Sequence, residues 1–202
     1  MTAKIRPFAD GDWAAVYDIC VATAGAGQGV RGRYSTDDLV PDTAAGPYLF
    51  LEPRHAYVLD DGERAVGYVI GTADTAGFVA GYQQRWLPRL LAKYRPLSGP
   101  PVTEEDRRVD TMFHPERWVL PELAGHPAHL HVNLLAGQRG SGHGRELIET
   151  FLASVAEAGA ESCYLVVRQA NVNAQRFYAR LGWQPIDVPS IEPDTVLIHP
   201  TR

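Results

Sequence analysis

Three glycines at alternate positions break the chain at Gln138-Arg139-Gly140-Ser141-Gly142-His143-Gly144-Arg145. An apolar segment from His129 to Ala136 runs into this break and reads as a strand. An amphipathic segment from about Arg145 to Ala158 runs out of it, with Leu147, Ile148, Phe151, Leu152 and Val155 at helical spacing and Gly159 as its natural stop. Glycine lets a backbone turn sharply and come close to a ligand. The amides that open the helix lack partners within it and lie at its positive end. Strand, glycine loop and helix together therefore predict a phosphate cradle.

The flanking chain predicts what carries the cradle. Lys4 to Phe8 is a strand candidate, and Asp10 or Asp12 can cap a helix that buries Trp13, Val16, Tyr17, Cys20, Val21 and Ala24. A glycine-rich loop from Ala24 to Gly32 leads to a second helix, expected from Ser35 to Ala45 with Ser35 as its cap. His55 to Asp60 and Ala65 to Thr72 read as strands of a hairpin turning at Asp61-Gly62. The block 75–127 shows no strand; Trp86, Leu87, Leu90, Leu91 and Tyr94 mark one helix, and Thr103 caps another. So long a connection reads as a helical insertion between the third and fourth strands, serving as a binding wall or lid, or as a packing flap. Beyond the central helix come a buried strand from Ser162 to Val167 and a helix capped by Asn171 or Asn173, with Ala174, Phe177, Tyr178 and Leu181 on one side. Trp183 to Val188 and Thr195 to His199 are the last strands. The alternation predicts one α/β (α+β) domain over residues 1–202, with mixed strand directions because of the early hairpin.

The glycine loop can be sorted by what each phosphate chemistry requires. A dinucleotide fingerprint, G-x-G-x-x-G, fails because Arg145 stands at its third glycine position. A P-loop, G-x-x-x-x-G-K-[ST], fails because His143-Gly144 replaces its lysine and hydroxyl. What remains is Arg139-x-x-Gly142-x-Gly144. This resembles the pyrophosphate loop of the GNAT superfamily of N-acetyltransferases, written Gln/Arg-x-x-Gly-x-Gly/Ala. Leu130-His131-Val132-Asn133-Leu134-Leu135 resembles that family's fourth strand, and Asn171-x-x-Ala174-x-x-Phe177-Tyr178-x-x-Leu181-Gly182-Trp183 its second conserved block. More narrowly, residues 127–135 and 67–74 are similar to bacterial relatives of the acetyltransferase-like domain at the C-terminus of O-GlcNAcase.

The resemblance implies a GNAT fold, a mixed twisted sheet of about seven strands flanked by helices, whose fourth and fifth strands splay apart. It implies acetyl-CoA as co-substrate and an N-acetyltransferase in which a primary amine attacks the thioester directly in a ternary complex. The cofactor would be held by the amides of Gly140, Ser141, Gly142, His143, Gly144 and Arg145, with charge from Arg139 or Arg145, and by the backbone near Leu134 and the side chain of Asn171. Tyr178 falls where the general acid of the family stands, and a phenol there can protonate a departing thiolate. For the base, His131 shares a strand face with His129 and Asn133, and an imidazole titrates near neutrality. Asp74 is the alternative base; its other reading is a turn cap for Thr75-Ala76-Gly77. Asn133 stands where relatives in the narrower group tend to carry an aspartate, and the O-GlcNAcase domain is itself regarded as a pseudo-acetyltransferase. A non-catalytic acyl-CoA-binding domain is therefore the rival expectation.

Other classes are disfavoured by composition. A formal net charge of -5 with dispersed basic residues argues against a nucleic-acid partner. No apolar run is long enough for a bilayer, and no signal core opens the chain, so no membrane and a cytoplasmic setting are expected. Cys20 and Cys163 lie in apolar runs and read as buried free thiols. His126, His129 and His131 show no metal-ligand spacing, so no metal is expected. The expected partner is a small-molecule or peptide amine, and the family's habits make a homodimer an expectation too.

Overall fold

The computed structural model describes residues 3–202. Seven strands, β1 (Lys4–Pro7), β2 (Tyr57–Asp60), β3 (Ala65–Thr72), β4 (Ala128–Leu134), β5 (Ser162–Val167), β6 (Gln184–Ile186) and β7 (Thr195–Pro200), form one sheet in the order β1-β2-β3-β4-β5-β7-β6. All neighbours are antiparallel except β4 and β5, which run parallel. This is the mixed, helix-flanked sheet that the resemblance implies, and β3 and β5 take the residues expected of them. β3 is buried along its whole length, because sheet neighbours flank it and helices cover both its faces.

The helices divide between the two faces. On one side lie α1 (Trp13–Gly27), α2 (Leu39–Ala44), α3 (Gly46–Leu51), α4 (Thr75–Gly81), α5 (Leu87–Leu91) and α6 (Glu104–Phe113). Their apolar residues meet Val58, Tyr68 and Ile70 of the sheet in a first core. On the other side α7 (His143–Glu157) and α8 (Val172–Arg180) close a second core on Leu59, Val69, Ala128, Leu130 and Leu165. Residues 75–127 contain α4, α5 and α6 and join β3 to β4. They are anchored: the Tyr82 hydroxyl donates to the Met112 carbonyl (3.0 Å), and Thr103 and Asp106 form a reciprocal cap on α6. No helix among the described residues is long and apolar enough to cross a membrane. Both cysteines are buried and free, as their apolar context implies.

Several local expectations need correction; the strand expected from Trp183 to Val188 is only Gln184–Ile186, and α1 runs into the loop expected from Ala24. The helix expected from Ser35 is only Leu39–Ala44, because the Ser35 amide and hydroxyl bond Glu105 of α6 and do not cap a helix. Asp12 does not cap α1 with its side chain. Its carboxylate accepts from both Arg6 Nη atoms (2.6 and 2.8 Å) and from the Ala9 amide, because a bidentate pair with a guanidinium outweighs a single bond to a helix amide. The strand expected from His55 begins at Tyr57, because Pro53 opens a short turn of helix that extends through His55.

One glycine controls how closely the two central antiparallel strands approach. A Cβ at Gly71 of β3 would collide with the His129 carbonyl of β4 and the Phe151 ring of α7. Gly71→Ala is expected to destabilise the protein by about 1–3 kcal/mol, since a rigid strand cannot retreat from backbone; a fall in the urea midpoint at unchanged slope checks it.

Candidate functional site

The parallel pair β4 and β5 is bonded only at its start, Ala128 with Cys163 and His129 with Tyr164. Beyond that point β4 stays with β3 as far as Leu134, and β5 stays with β7 as far as Val167. A gap opens between them. Leu134 faces Gly67 across β3, and the Leu135 amide donates to the Val66 carbonyl (3.0 Å). Leu134 is thus in a non-hydrogen-bonded pair, and its own N–H and C=O point away from β3 into the gap. By alternation the same holds for Val132, while the amide of Leu130 still lies in the last rung with β5. The Leu134 carbonyl is met by Arg139 Nε (3.2 Å), while no strand lies opposite its amide.

The glycine loop stands at the mouth of this gap. Gly140 (φ 83°) and Gly142 (φ 89°) occupy the left-handed region that favours glycine, and Gly142 leads directly into α7. Among the described residues the backbone N–H groups of residues 140–144 find no acceptor. Five consecutive unpaired amides at a helix start form an anion nest. Gly144 is needed for a different reason: a Cβ there would press on Phe177 Cζ at 3.3 Å and Leu134 Cδ1 at 3.4 Å. The start of α7 is therefore seated between the end of β4 and α8.

The other expected cofactor residues fall around this nest with mixed outcomes. Arg139 lies against Gly27, whose added Cβ would meet both guanidinium Nη atoms at 3.7 Å. The Arg145 side chain is turned along α7 to Glu149 (2.6 Å), so its charge is matched on an exposed helix face and it is not a free cation in the nest. Ser141 is exposed, and His143 Nδ1 lies 3.8 Å from Glu146. Asn171 caps α8 by accepting from the Ala174 amide (3.2 Å), and both N–H groups of its side-chain amide are free of protein partners among the described residues.

Tyr178 projects from α8 into the second core, beside Trp183 (ring centroids 5.8 Å) and Phe177. Its hydroxyl has no hydrogen-bond partner among the described residues, and burial pushes its pKa well above the usual phenol value. It keeps its proton at neutral pH. Asp74 caps the start of α4, with one carboxylate oxygen accepting from the Gly77 amide (3.1 Å), and it is exposed.

His129, His131 and Asn133 share the face of β4 turned to the first core, as the alternation predicts. Asn133 donates to the Tyr68 hydroxyl (2.8 Å). The two histidines are joined through a residue that sequence reasoning did not single out. The Tyr48 hydroxyl lies 2.7 Å from His129 Nε2 and 3.1 Å from His131 Nε2. On its other side His129 Nδ1 lies 2.7 Å from Thr75 Oγ1, and that hydroxyl donates to the Pro127 carbonyl (2.8 Å). The Tyr48 ring stacks on Phe78 of α4 (4.4 Å) and meets both imidazoles edge-on. His129 is buried. His131 is exposed, with its Nε2 turned inward to Tyr48. Desolvation pushes His129 down to about 3, with His131 adding repulsion, and pushes His131 down to about 4. Both are neutral at pH 7. His126 is separate, bonded to Ser162 (2.6 Å), and no group of three His, Cys, Asp or Glu among the described residues is arranged to hold a metal.

A mixed seven-strand sheet that opens between its parallel central strands, with an amide nest at the opening, defines the class. The chain belongs to the Acetyltransferase (GNAT) family, whose family model matches residues 31–183. It is 44% identical to SsHAT, whose crystal structure superposes with a TM-score of 0.96 over 100% of both chains. Protein O-GlcNAcase of Rattus norvegicus is 29% identical over 180 residues, covering 88% of this chain and 20% of that protein. The chain thus spans about a fifth of that relative, in keeping with the resemblance to its acetyltransferase-like domain. The PaiA N-acetyltransferase from Thermoplasma acidophilum, solved in complex with coenzyme A, shares the fold at 12% identity, with a TM-score of 0.60 over 99% of each chain.

The depressed histidines link stability to pH. Unfolded histidine takes a proton near pH 6.5, whereas folded His129 and His131 stay neutral until about 3 and about 4, and buried His55 until about 4. Between these values the unfolded chain binds more protons, so stability rises with pH and is lost as pH falls from about 6.5 toward 4. Urea midpoints measured across that window are expected to fall with acid, and less steeply in His129→Asn.

Proposed function

We propose that this chain transfers an acetyl group from acetyl-CoA to a primary amine bound beside it. The observation that carries the reading is the row of unpartnered amides at residues 140–144, set at the mouth of a gap whose β4 edge has no strand partner. An anion nest continuous with a free strand edge suits a ligand with a pyrophosphate followed by an amide-bearing arm, which is the chemistry of coenzyme A. Gly144, where any side chain would crowd Phe177 and Leu134, fits the same close approach.

Acetyl-CoA supplies an activated thioester whose sulfur is the leaving group. The chain's part is to hold, orient and move protons. The nest and the Arg139 guanidinium would bind the pyrophosphate, and the gap-facing amides of β4, including Leu134, would pair with the arm and polarise the carbonyl. Tyr178 Oη, kept protonated by burial, would give its proton to the sulfur. Asn133 cannot accept a proton and one oxygen of Asp74 is tied to the start of α4, which favours His131 to receive the proton of the amine. A small molecule or a peptide could carry that amine.

The rival reading, an acyl-CoA-binding domain without turnover, draws support from the same two residues: one carboxylate is committed to a helix and the other position is an amide. A thermal shift with acetyl-CoA tests the shared part. At a hundredfold excess over Kd, binding should stabilise the fold by about 2.7 kcal/mol; no shift at large excess removes both readings. Release of CoA thiol across a panel of amines then separates them. Binding without acceptor-stimulated release leaves the rival. Tyr178→Phe should lower turnover by roughly a hundredfold with affinity for acetyl-CoA unchanged, and Gly142→Ala should weaken binding by about tenfold, since the left-handed turn is strained for alanine.

A further inference from the structure

The hydrogen bonds that reach His131 have a fixed direction, and that direction comes from a backbone carbonyl. The Pro127 oxygen can only accept, so the Thr75 hydroxyl 2.8 Å away spends its single proton there. Thr75 Oγ1 must then accept from His129, which puts the His129 proton on Nδ1. The bare His129 Nε2 can only accept, so Tyr48 donates to it. The Tyr48 oxygen, its proton used, accepts from His131 Nε2. Reversing the order would leave the Thr75 and Pro127 oxygens facing each other at 2.8 Å with no proton between them. The chain has one polarity from β4 back to the start of α4.

We infer that Thr75, His129 and Tyr48 are positioning residues that hold neutral His131 with its proton on Nε2, leaving the Nδ1 lone pair to take the proton of the acceptor amine. This rests on the acetyltransferase reading and deepens it. Nδ1 has no hydrogen-bond partner among the described residues, and His131 is the only one of the two imidazoles with an accessible face. As the amine nitrogen gains its bond to the acetyl carbon, its proton passes to Nδ1, and the carbon–sulfur electron pair leaves with the sulfur. An N-acylated ammonium is far more acidic than a free one, so a weakly basic imidazole is strong enough. The chain orients and does not export: it ends on a hydroxyl and a carbonyl, neither of which takes up a proton at neutral pH. The proton therefore leaves from Nδ1 by way of the accessible face.

The test is the tautomer of each ring, read from long-range proton–nitrogen correlations of protein carrying nitrogen-labelled histidine, near neutral pH and without acetyl-CoA. His129 protonated on Nδ1 and His131 on Nε2 support the assignment; His131 protonated on Nδ1, or on both nitrogens, overturns it. Tyr48→Phe removes the acceptor of His131 Nε2–H, and Thr75→Val removes the acceptor of His129 Nδ1–H at nearly constant volume. Each should mix the His131 tautomers and lower kcat with the amine roughly tenfold, leaving the KM for acetyl-CoA unchanged. Thr75→Ser should restore both properties. Unchanged tautomers in both Tyr48→Phe and Thr75→Val would overturn the chain even if both proteins are slow. Because the tautomers are read without acetyl-CoA, failure here is distinct from failure of the thermal shift, which bears on the acetyltransferase reading alone.

Discussion

Strands β4 and β5 hold each other at two positions and then part, and the rest of the molecule is arranged around that release. Unpaired strand edges inside a fold are costly, because buried N–H and C=O groups need partners. Here each strand keeps its outer ladder, β4 on β3 and β5 on β7, so only the inner edges are freed. α7 and α8 close the second core beneath the gap, and the glycine loop stands at its mouth. The same backbone groups that would otherwise make two more rungs of sheet become the wall of the gap proposed to take the cofactor.

The opposite face of β4 solves a different problem. His129 is buried, His131 beside it is exposed, and neither has a carboxylate among its hydrogen-bond partners. Both stay neutral because the charged form would lose its hydration. Neutral imidazoles still need one donor and one acceptor each, and Tyr48 and Thr75 satisfy most of these groups. Such an arrangement costs stability in acid and gives a defined proton position at neutral pH.

The insertion at 75–127 is both a packing element and a contributor to the site. Phe78 of α4 stacks on Tyr48 while Trp118 packs against Phe78 and Tyr82, so the segment belongs to the first core. Its first residue, Thr75, also reaches His129. The insertion therefore braces the β4 face from one side while α3 braces it through Tyr48.

By itself the sequence determined the elements with strong local signals: the glycine loop, the amphipathic α7, the capped starts of α6 and α8, and β3 and β5 to the residue. These are legible because periodicity, capping and φ-permissive glycines act over a few neighbours. It also brought His129, His131 and Asn133 to one face, since strand alternation is local. It read Asp74 both as a cap and as a base, and the structure shows the cap bond to the Gly77 amide. It did not show that Arg145 is matched by Glu149, or that the expected Ser35 helix gives way to a contact with Glu105. The largest silence concerned Tyr48, which lies 81 residues from His129. Only the tertiary structure brings a phenol, two imidazoles, a threonine and a proline carbonyl into line, because that alignment depends on packing between α3, α4 and β4 and on no local rule.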